Sequence, residues 1–316
     1  MQRWPLVILT GPTAVGKTAL SLALAKKLDA QIISADSMQI YKKMNIGTAK
    51  ILPGQMQGVR HYLVDELMPD EPFNVVAFQR MARRAMKEIT DQGKIPLVVG
   101  GTGFYIQALL RDIDFTENDG DMAFRRELEA IAHTQGPQAL YERLLAVDPE
   151  SAEKIHAHNV KRVIRALEFY EKTGTKISAH NAEQSQKTSP YNSACFVLTL
   201  PREILYERID RRVDEMMKQG LLDEVRALLD EGYDPGLVSM QGLGYKEFIP
   251  YFSGARSLEE SVYILKRDTR HFAKRQLTWF RREKDVVWIN KNDYADEAHI
   301  LEYILKQLKE RGIYNG

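Results

Sequence analysis

The chain has 316 residues, 44% hydrophobic and 28% charged, and its 44 basic and 43 acidic side chains leave a formal net charge of +1. Those values are those of an ordinary soluble globular protein, and they leave nucleic-acid binding open, because a local basic face can be balanced elsewhere. A single cysteine, Cys195, excludes an internal disulfide, argues against a cysteine-based zinc site and fits a reducing, cytoplasmic setting.

In chain order, the N-terminal "WPLVILTG" reads as a strand, with none of the basic, apolar and small-residue regions of a signal peptide. It runs into "TGPTAVGKT" and then "ALSLALAKKL", whose apolar spacing is helical. A second strand is expected at about 31–35, a third within "HYLVDEL" (61–67), and a helix over about 74–91. "IPLVVGG" (95–101) is a strong strand entering another glycine turn, while "ACFVLTL" (194–200) and "VVWI" (286–289) are the last two strands. Continuous apolar strands separated by helices imply a parallel sheet covered on both faces. Residues 119–193 break the rhythm: "FRRELEAIA", "PQALYERLLAVD" and "ESAEKIHAHNVKRVIRALEFYEKTG" all read as helix, and "NAEQSQKTSP" (181–190) reads as a linker. The expected fold is therefore α/β, a P-loop NTPase-like parallel sheet formed by 1–118 and 194–316, with an all-helical insertion domain at 119–193. No apolar run reaches the ~20 residues that cross a bilayer, and no coiled-coil pattern argues against a monomer.

Gly11, Pro12, Thr13, Ala14, Val15, Gly16, Lys17 and Thr18 fit the phosphate-binding loop G-x-x-x-x-G-K-[ST], with the strand and helix the motif requires on either side. The glycines let successive N–H groups turn inward, and the helix start adds partial positive charge. Lys17 would reach the outer phosphates and the Thr18 hydroxyl would ligate Mg²⁺. Such a cradle does not name a reaction; ATP, GTP or any diphosphate ester fits it.

Asp36, at the end of "QIISADSMQIY", sits where ligands bind in parallel sheets, at the carboxyl end of a strand. Three roles are open on the residues alone: a base, a ligand for a metal, or a cap for the next turn. Gln39 can pair with the edge of an adenine and Met38 can pack on a base, which favours a purine beside the carboxylate.

Five stretches taken together, "GPTAVGKT", "SADSMQIYKKMNIGTAK" (34–50), "PLVVGGTGFYIQALL" (96–110), "HNVKRVIRALE" (158–168) and "KRQLTWFR" (274–281), resemble the tRNA dimethylallyltransferase family, in the family's order. With no second cysteine for the zinc finger of eukaryotic members, the chain looks like the bacterial form. The resemblance implies transfer of a dimethylallyl group from dimethylallyl diphosphate, with Mg²⁺, to N6 of the adenine 3′-adjacent to the anticodon of tRNA. It implies that the P-loop holds a leaving group, that Asp36 is the base, that Thr102 contacts the substrate nucleotide and that Arg208 faces the diphosphate. Locally, Thr102 could equally cap the helix that begins around Phe104, and Arg211 or Arg212 could be mistaken for Arg208.

For tRNA the resemblance implies contacts from Asp36, Ser37, Met38, Gln39 and Thr102 around the displaced adenine. It adds Phe124, the stretch Val160, Lys161, Arg162, Val163 and Ile164, and the stretch Gln241, Gly242, Leu243, Gly244, Tyr245 and Lys246. From the residues themselves, the window 261–282 holds Lys266, Arg267, Arg270, Lys274, Arg275, Arg281 and Arg282 against Asp268, with Trp279 and Phe280 inside it. Basic side chains interleaved with aromatics suit phosphate contact and base stacking; Lys274, Arg275, Gln276, Trp279 and Arg281 are the residues expected to touch RNA. On 160–168 the helical period puts Val160, Val163, Ile164 and Leu167 on one apolar stripe, with Lys161, Arg162 and Arg165 on another face; Arg165 could pair with Glu168. His156 and His158 have no acidic or thiol partner at metal-ligand spacing. The competing readings are a P-loop nucleotide or small-molecule kinase, and a non-catalytic RNA-binding protein whose P-loop senses a nucleotide.

Overall fold

The computed structural model describes residues 3–115 and 122–315. Two compact units divide the chain: Met1–Leu110 with Ser189–Gly316, and Arg111–Thr188. The helical unit thus opens and closes somewhat earlier than the 119–193 read from composition.

In the larger unit, β1 (Pro5–Thr10) leads to α1 (Lys17–Leu28) and β2 (Ala30–Ala35). A two-residue β3 (His61–Tyr62), α2 (Val75–Asp91), β4 (Ile95–Gly100) and α3 (Gly103–Leu110) follow. The third strand is far shorter than the apolar run suggested. Leu63, the residue directly after the strand, has a left-handed backbone, φ 61°, and Asp65 follows with φ 57°, so the chain leaves extended geometry at once. Asn74 caps α2, its side-chain oxygen accepting the N–H groups of Val76 and Ala77 at 3.0 Å each, a contribution of about 1 kcal/mol.

In the smaller unit, α4 (Met122–Thr134), α5 (Pro137–Val147), α6 (Pro149–Lys154), α7 (Val160–Thr173) and α8 (Ile177–Gln186) pack around Leu128, Leu140, Leu144, Val163 and Ile164. Two expectations change here. The run 150–174 is two helices, not one, because the chain leaves helical geometry at Ile155, which is extended, before α7 begins. The polar tract 181–190 is mostly helix rather than linker: Gln184 is buried, and its Oε1 accepts the Asp114 N–H at 3.0 Å. The buried Asp148 carboxylate ties α6 to α8, accepting from Ser151 and from both the N–H and hydroxyl of Ser178 at 2.6–3.1 Å. Burial opposes its ionisation, yet these donors together hold it below its ordinary value.

The larger unit resumes with β5 (Asn192–Thr199), α9 (Arg202–Lys218), α10 (Leu221–Asp230), the single turn α11 (Ile249–Phe252), α12 (Leu258–Phe280), β6 (Val286–Asn290) and α13 (Glu297–Glu310). The strands form one parallel sheet in the order β3-β2-β4-β1-β5-β6. Alternation sends Leu6, Ile8, Ile33 and Val98 into one core and Val7, Leu9, Ile32 and Leu97 into the other, so both faces are covered. Each such fully buried side chain contributes about 1.5–3 kcal/mol. Register then aligns the strand ends. Thr10 pairs with Gly100, and Gly100 with Ala35, so the segments following β1, β2 and β4 leave the sheet side by side. Cys195 lies in β5 with its thiol pushed up to about 12, mainly by burial. No helix among the described residues is long and apolar enough to cross a membrane.

Candidate active site

The P-loop follows β1 directly. Gly11 has φ 141°, and a Cβ there would lie 2.5 Å from the Leu198 carbonyl oxygen, so only glycine lets β5 and the loop approach this closely. Ala14 and Gly16 also take positive φ, 62° and 93°, the alternation that turns backbone N–H groups into a concave nest. Val15 is buried and anchors the loop to the sheet. The Lys17 ammonium arches back to the carbonyls of Gly11 and Pro12, at 3.0 and 2.9 Å. Its pKa is lowered to about 8: desolvation dominates, Asp36 opposes it, and Arg212 adds to it. Thr18 is exposed at the helix start.

A cavity of about 470 Å³ opens over this loop, lined by Gly16, Lys17, Thr18, Asp36, Gln39, Glu215 and three arginines of α9, Arg208, Arg211 and Arg212. Spacings of three and four residues put all three guanidinium groups on one helix face. A second cavity, of about 310 Å³, is lined by Met38, Ile209, Val213, Met216, Leu243, Leu265 and Phe272, with Ser37, Thr102 and Gln241 at polar points. Thr13, Ala14, Asp36, Thr48, Arg212 and Phe272 belong to both walls. Asp36 therefore stands where the polar and apolar chambers meet. Its Oδ1 accepts the Met38 N–H at 2.9 Å, so it does cap the turn. That bond leaves Oδ2 for chemistry, since no hydrogen bond to it is made within the described residues.

Thr102 opens α3, its carbonyl accepting the N–H groups of Tyr105 and Ile106 at 3.0 and 3.2 Å, but its side chain is used elsewhere. Its hydroxyl accepts the Ser37 N–H at 3.2 Å, and its backbone N–H donates to the Ala35 carbonyl at 3.1 Å. It therefore fixes the segment carrying Asp36. Arg212, which no local pattern set above Arg208, is the α9 arginine that reaches both cavities; its Nη1 lies 3.5 Å from the Thr13 hydroxyl. Part of its side chain faces the cavity, yet desolvation dominates at its charged end and lowers its pKa against the pull of Asp36 and Glu215.

Several residues expected at RNA are engaged inside the protein instead. Gln276 is buried and bridges two loops: Oε1 accepts the Thr13 N–H and Nε2 donates to the Gly101 carbonyl, both at 2.9 Å. It is a brace for the P-loop, not a base contact. Tyr245 is fully buried with its hydroxyl donating to Glu224. Val163 and Ile164 lie in the core of the helical unit, as their place on the apolar stripe requires, and Phe124 packs partly against that core. On α7 only Lys161 and Arg162 of the expected stretch are exposed, with Val160 partly so. Glu168 takes Arg125, not Arg165, through paired bonds of 2.7 Å. His156 and His158 stack on each other, ring centroids 5.2 Å apart.

On α12 the basic window splits. Lys266, Arg267 and Arg270 pair with Asp214, Asp268 and Asp210. Lys274, Arg275, Arg281 and Arg282 are exposed and have no acidic partner among the described residues. Lys274, Arg275 and Arg282, with His271, Thr278 and Trp279, line a shallow surface cavity of about 450 Å³. Trp279 is half-buried and packs edge-on against Phe104, centroids 6.0 Å apart, whereas Phe280 belongs to the core. Gln241 is exposed and donates to the Pro235 carbonyl; Gly242, Leu243 and Gly244 line the apolar cavity, and Lys246 lies near Glu247.

A phosphate cradle that opens onto an apolar chamber suits a transferase that moves an apolar group off a diphosphate, and also a kinase whose acceptor is apolar. The sequence model for IPP transferases matches residues 39–283. The tRNA dimethylallyltransferase of Lachnoclostridium phytofermentans is 60% identical over 98% of this chain and 99% of its own length, and that of Acetivibrio thermocellus 46% identical over 98% of each. Among solved structures, the tRNA isopentenylpyrophosphate transferase of Bacillus halodurans shares 43% identity over 98% of each chain, with a TM-score of 0.73. A eukaryotic dimethylallyltransferase solved acting on tRNA shares 30% identity over 97% of this chain and 79% of its own, with a TM-score of 0.84. The chain belongs to the IPP transferase family, the enzymes that prenylate tRNA.

Proposed function

We propose that this enzyme transfers the dimethylallyl group of dimethylallyl diphosphate to N6 of the adenine 3′-adjacent to the anticodon, with Asp36 as general base. The observation that carries the proposal is Asp36 in the wall common to the cationic and apolar chambers. The diphosphate lies in the P-loop nest against Lys17, Arg208 and Arg212, and the allyl carbons lie toward Val213, Met216 and Leu265. The C–O bond to the diphosphate breaks with its electron pair on the leaving oxygen, where the loop N–H groups and the cations meet the growing charge. The C–N bond forms at the exocyclic amine, whose proton passes to the Asp36 carboxylate. Such a base contributes about 10²–10⁴-fold, because the amine's lone pair is otherwise delocalised into the ring.

Mg²⁺ suits these residues: an exposed Thr18 hydroxyl and the Asp36 and Glu215 carboxylates share the cavity. Mg²⁺ binds through one or two carboxylates, waters and substrate phosphates rather than an all-protein cage. When bound it supplies charge neutralisation on the departing diphosphate. Lys161, Arg162 and the exposed cations of α12 contact the tRNA backbone, and Trp279 offers a stacking edge. Extrusion of the adenine costs a few kcal/mol, which these contacts offset. The enzyme works as a cytoplasmic monomer.

The test is incubation of unmodified tRNA with the protein, Mg²⁺ and dimethylallyl diphosphate, followed by nucleoside mass analysis. One five-carbon unit on the adenosine next to the anticodon is expected. Unchanged tRNA, or consumption of ATP with no RNA present, would overturn the proposal.

A further inference from the structure

The stretch 36–50 folds into a loop whose far end is held by one carboxylate distant in the chain. Three consecutive backbone N–H groups converge on Glu224 of α10: Asn45 and Ile46 donate to Oε2 at 2.8 Å, and Gly47 donates to Oε1 at 3.1 Å. The Tyr245 hydroxyl donates to Oε1 at 2.7 Å. Burial, and then the charge of Glu224, hold that hydroxyl's pKa well above its ordinary value, so it remains a donor. A Cβ on Gly47 would lie 2.6 Å from the Tyr245 ring, so the loop backbone rests directly on the aromatic face. The same loop is pinned from within. The buried Lys50 ammonium donates to the Tyr41 carbonyl, to Asn45 Oδ1 and to Asp65. The Gln39 side-chain amide donates to the carbonyls of Thr48 and Ala49. What this clamp delivers is wall: Gly47 lines the apolar cavity and Thr48 lines both.

We propose that Glu224 is a positioning residue for the transfer reaction. It fixes Gly47 and Thr48 in the wall that also holds Asp36 and Arg212, and thereby sets where the acceptor meets the donor. The inference rests on the transfer reading above. Three amides presented to one carboxylate form an anion nest satisfied within the chain. Glutamine at this position offers one accepting oxygen and sets an NH₂ group against N–H donors, so the loop loses its fixed place. Aspartate keeps the charge on a shorter stem. None of these bonds touches the P-loop, Lys17 or Arg208, the groups placed against the diphosphate, and Thr48 borders that chamber only in the wall it shares with the apolar one.

Full-length native protein is compared with Glu224→Gln, Glu224→Asp and Tyr245→Phe in single-turnover rate at saturating donor and tRNA, in the Kd of inorganic pyrophosphate, and in Tm. Displacement of a reacting group by about 1 Å costs on the order of 100-fold. Glu224→Gln is therefore expected to lose about 10- to 100-fold in rate while its pyrophosphate Kd stays within about twofold. Glu224→Asp should recover most of the rate. Tyr245→Phe, which leaves the three amides their carboxylate, should lose only about threefold, and this graded pair carries the test if Glu224→Gln does not fold. A Glu224→Gln protein with native rate and lowered Tm, or one that loses rate and pyrophosphate affinity equally, overturns the inference alone. A native chain that transfers nothing overturns it together with the function it rests on.

Discussion

The two chambers that meet at Asp36 are built by opposite means. The cationic one takes its anion-binding groups from two local runs: the P-loop between Gly11 and Thr18, and one face of α9 with Arg208, Arg211 and Arg212. The apolar one draws on side chains scattered through the chain, from Met38 to Val213, Leu243 and Leu265. An anion can be gripped by a local turn, because amides and a helix start carry their own partial charge. An apolar group has no such local partner and is enclosed only by tertiary packing. The proposed reaction divides in the same way, with the leaving group met by the local part and the prenyl group and acceptor placed by the assembled part.

The sharpest way to break this division is Asp36→Asn. The amide oxygen can still accept the Met38 N–H, so the turn persists while the proposed base is removed. Single-turnover transfer is expected to fall about 10²–10⁴-fold, with pyrophosphate affinity nearly unchanged in a direct titration. Parallel losses in rate and affinity would assign the carboxylate to the cradle instead. Lys17→Met should act on the other chamber. Removing one charge-assisted contact of about 1.5–3 kcal/mol weakens pyrophosphate binding by roughly 10- to 100-fold.

The smallest effect is in pH. Lys17 is lowered to about 8 from 10.5, so in the free protein it is charged below about 8 and increasingly neutral above. An anion favours the charged form, so the affinity advantage of native protein over Lys17→Met should be flat below pH 8. It should then shrink by up to about tenfold per unit as pH rises toward 10.5. Dividing the two profiles removes the titration of pyrophosphate itself. For folding the sign is opposite: the unfolded chain binds more protons between about 8 and 10.5, so this lysine makes stability rise with pH across that window.

How much could be read from the sequence follows the same local-versus-assembled line. The P-loop, five of the six strands and the place of Asp36 at a strand end are patterns of neighbouring residues, and all are found where expected. Arg212 left a weaker signal, four residues beyond Arg208 and hence on the same helix face. Gln276 was misread because its neighbours Lys274 and Arg275 are exposed and basic, and only helical rotation separates a buried brace from a solvent-facing contact. Val163 and Ile164 show the converse, since their apolar stripe already marked them for the core. Glu224 left no signal, because its ligands are backbone amides, which look alike in every residue type, on a loop distant in the chain.

Cys195 is the chain's one thiol, buried in β5 with its acidity suppressed to about 12. Burial covers the sulfur and keeps it protonated at neutral pH, so it reacts slowly with alkylating probes. Any cysteine placed on the protein's surface becomes the fast-reacting handle. Val238, exposed at the rim of the apolar chamber, is the natural position: the rate of labelling of Val238→Cys would report, in real time and without a second fast-reacting site, when that rim is covered.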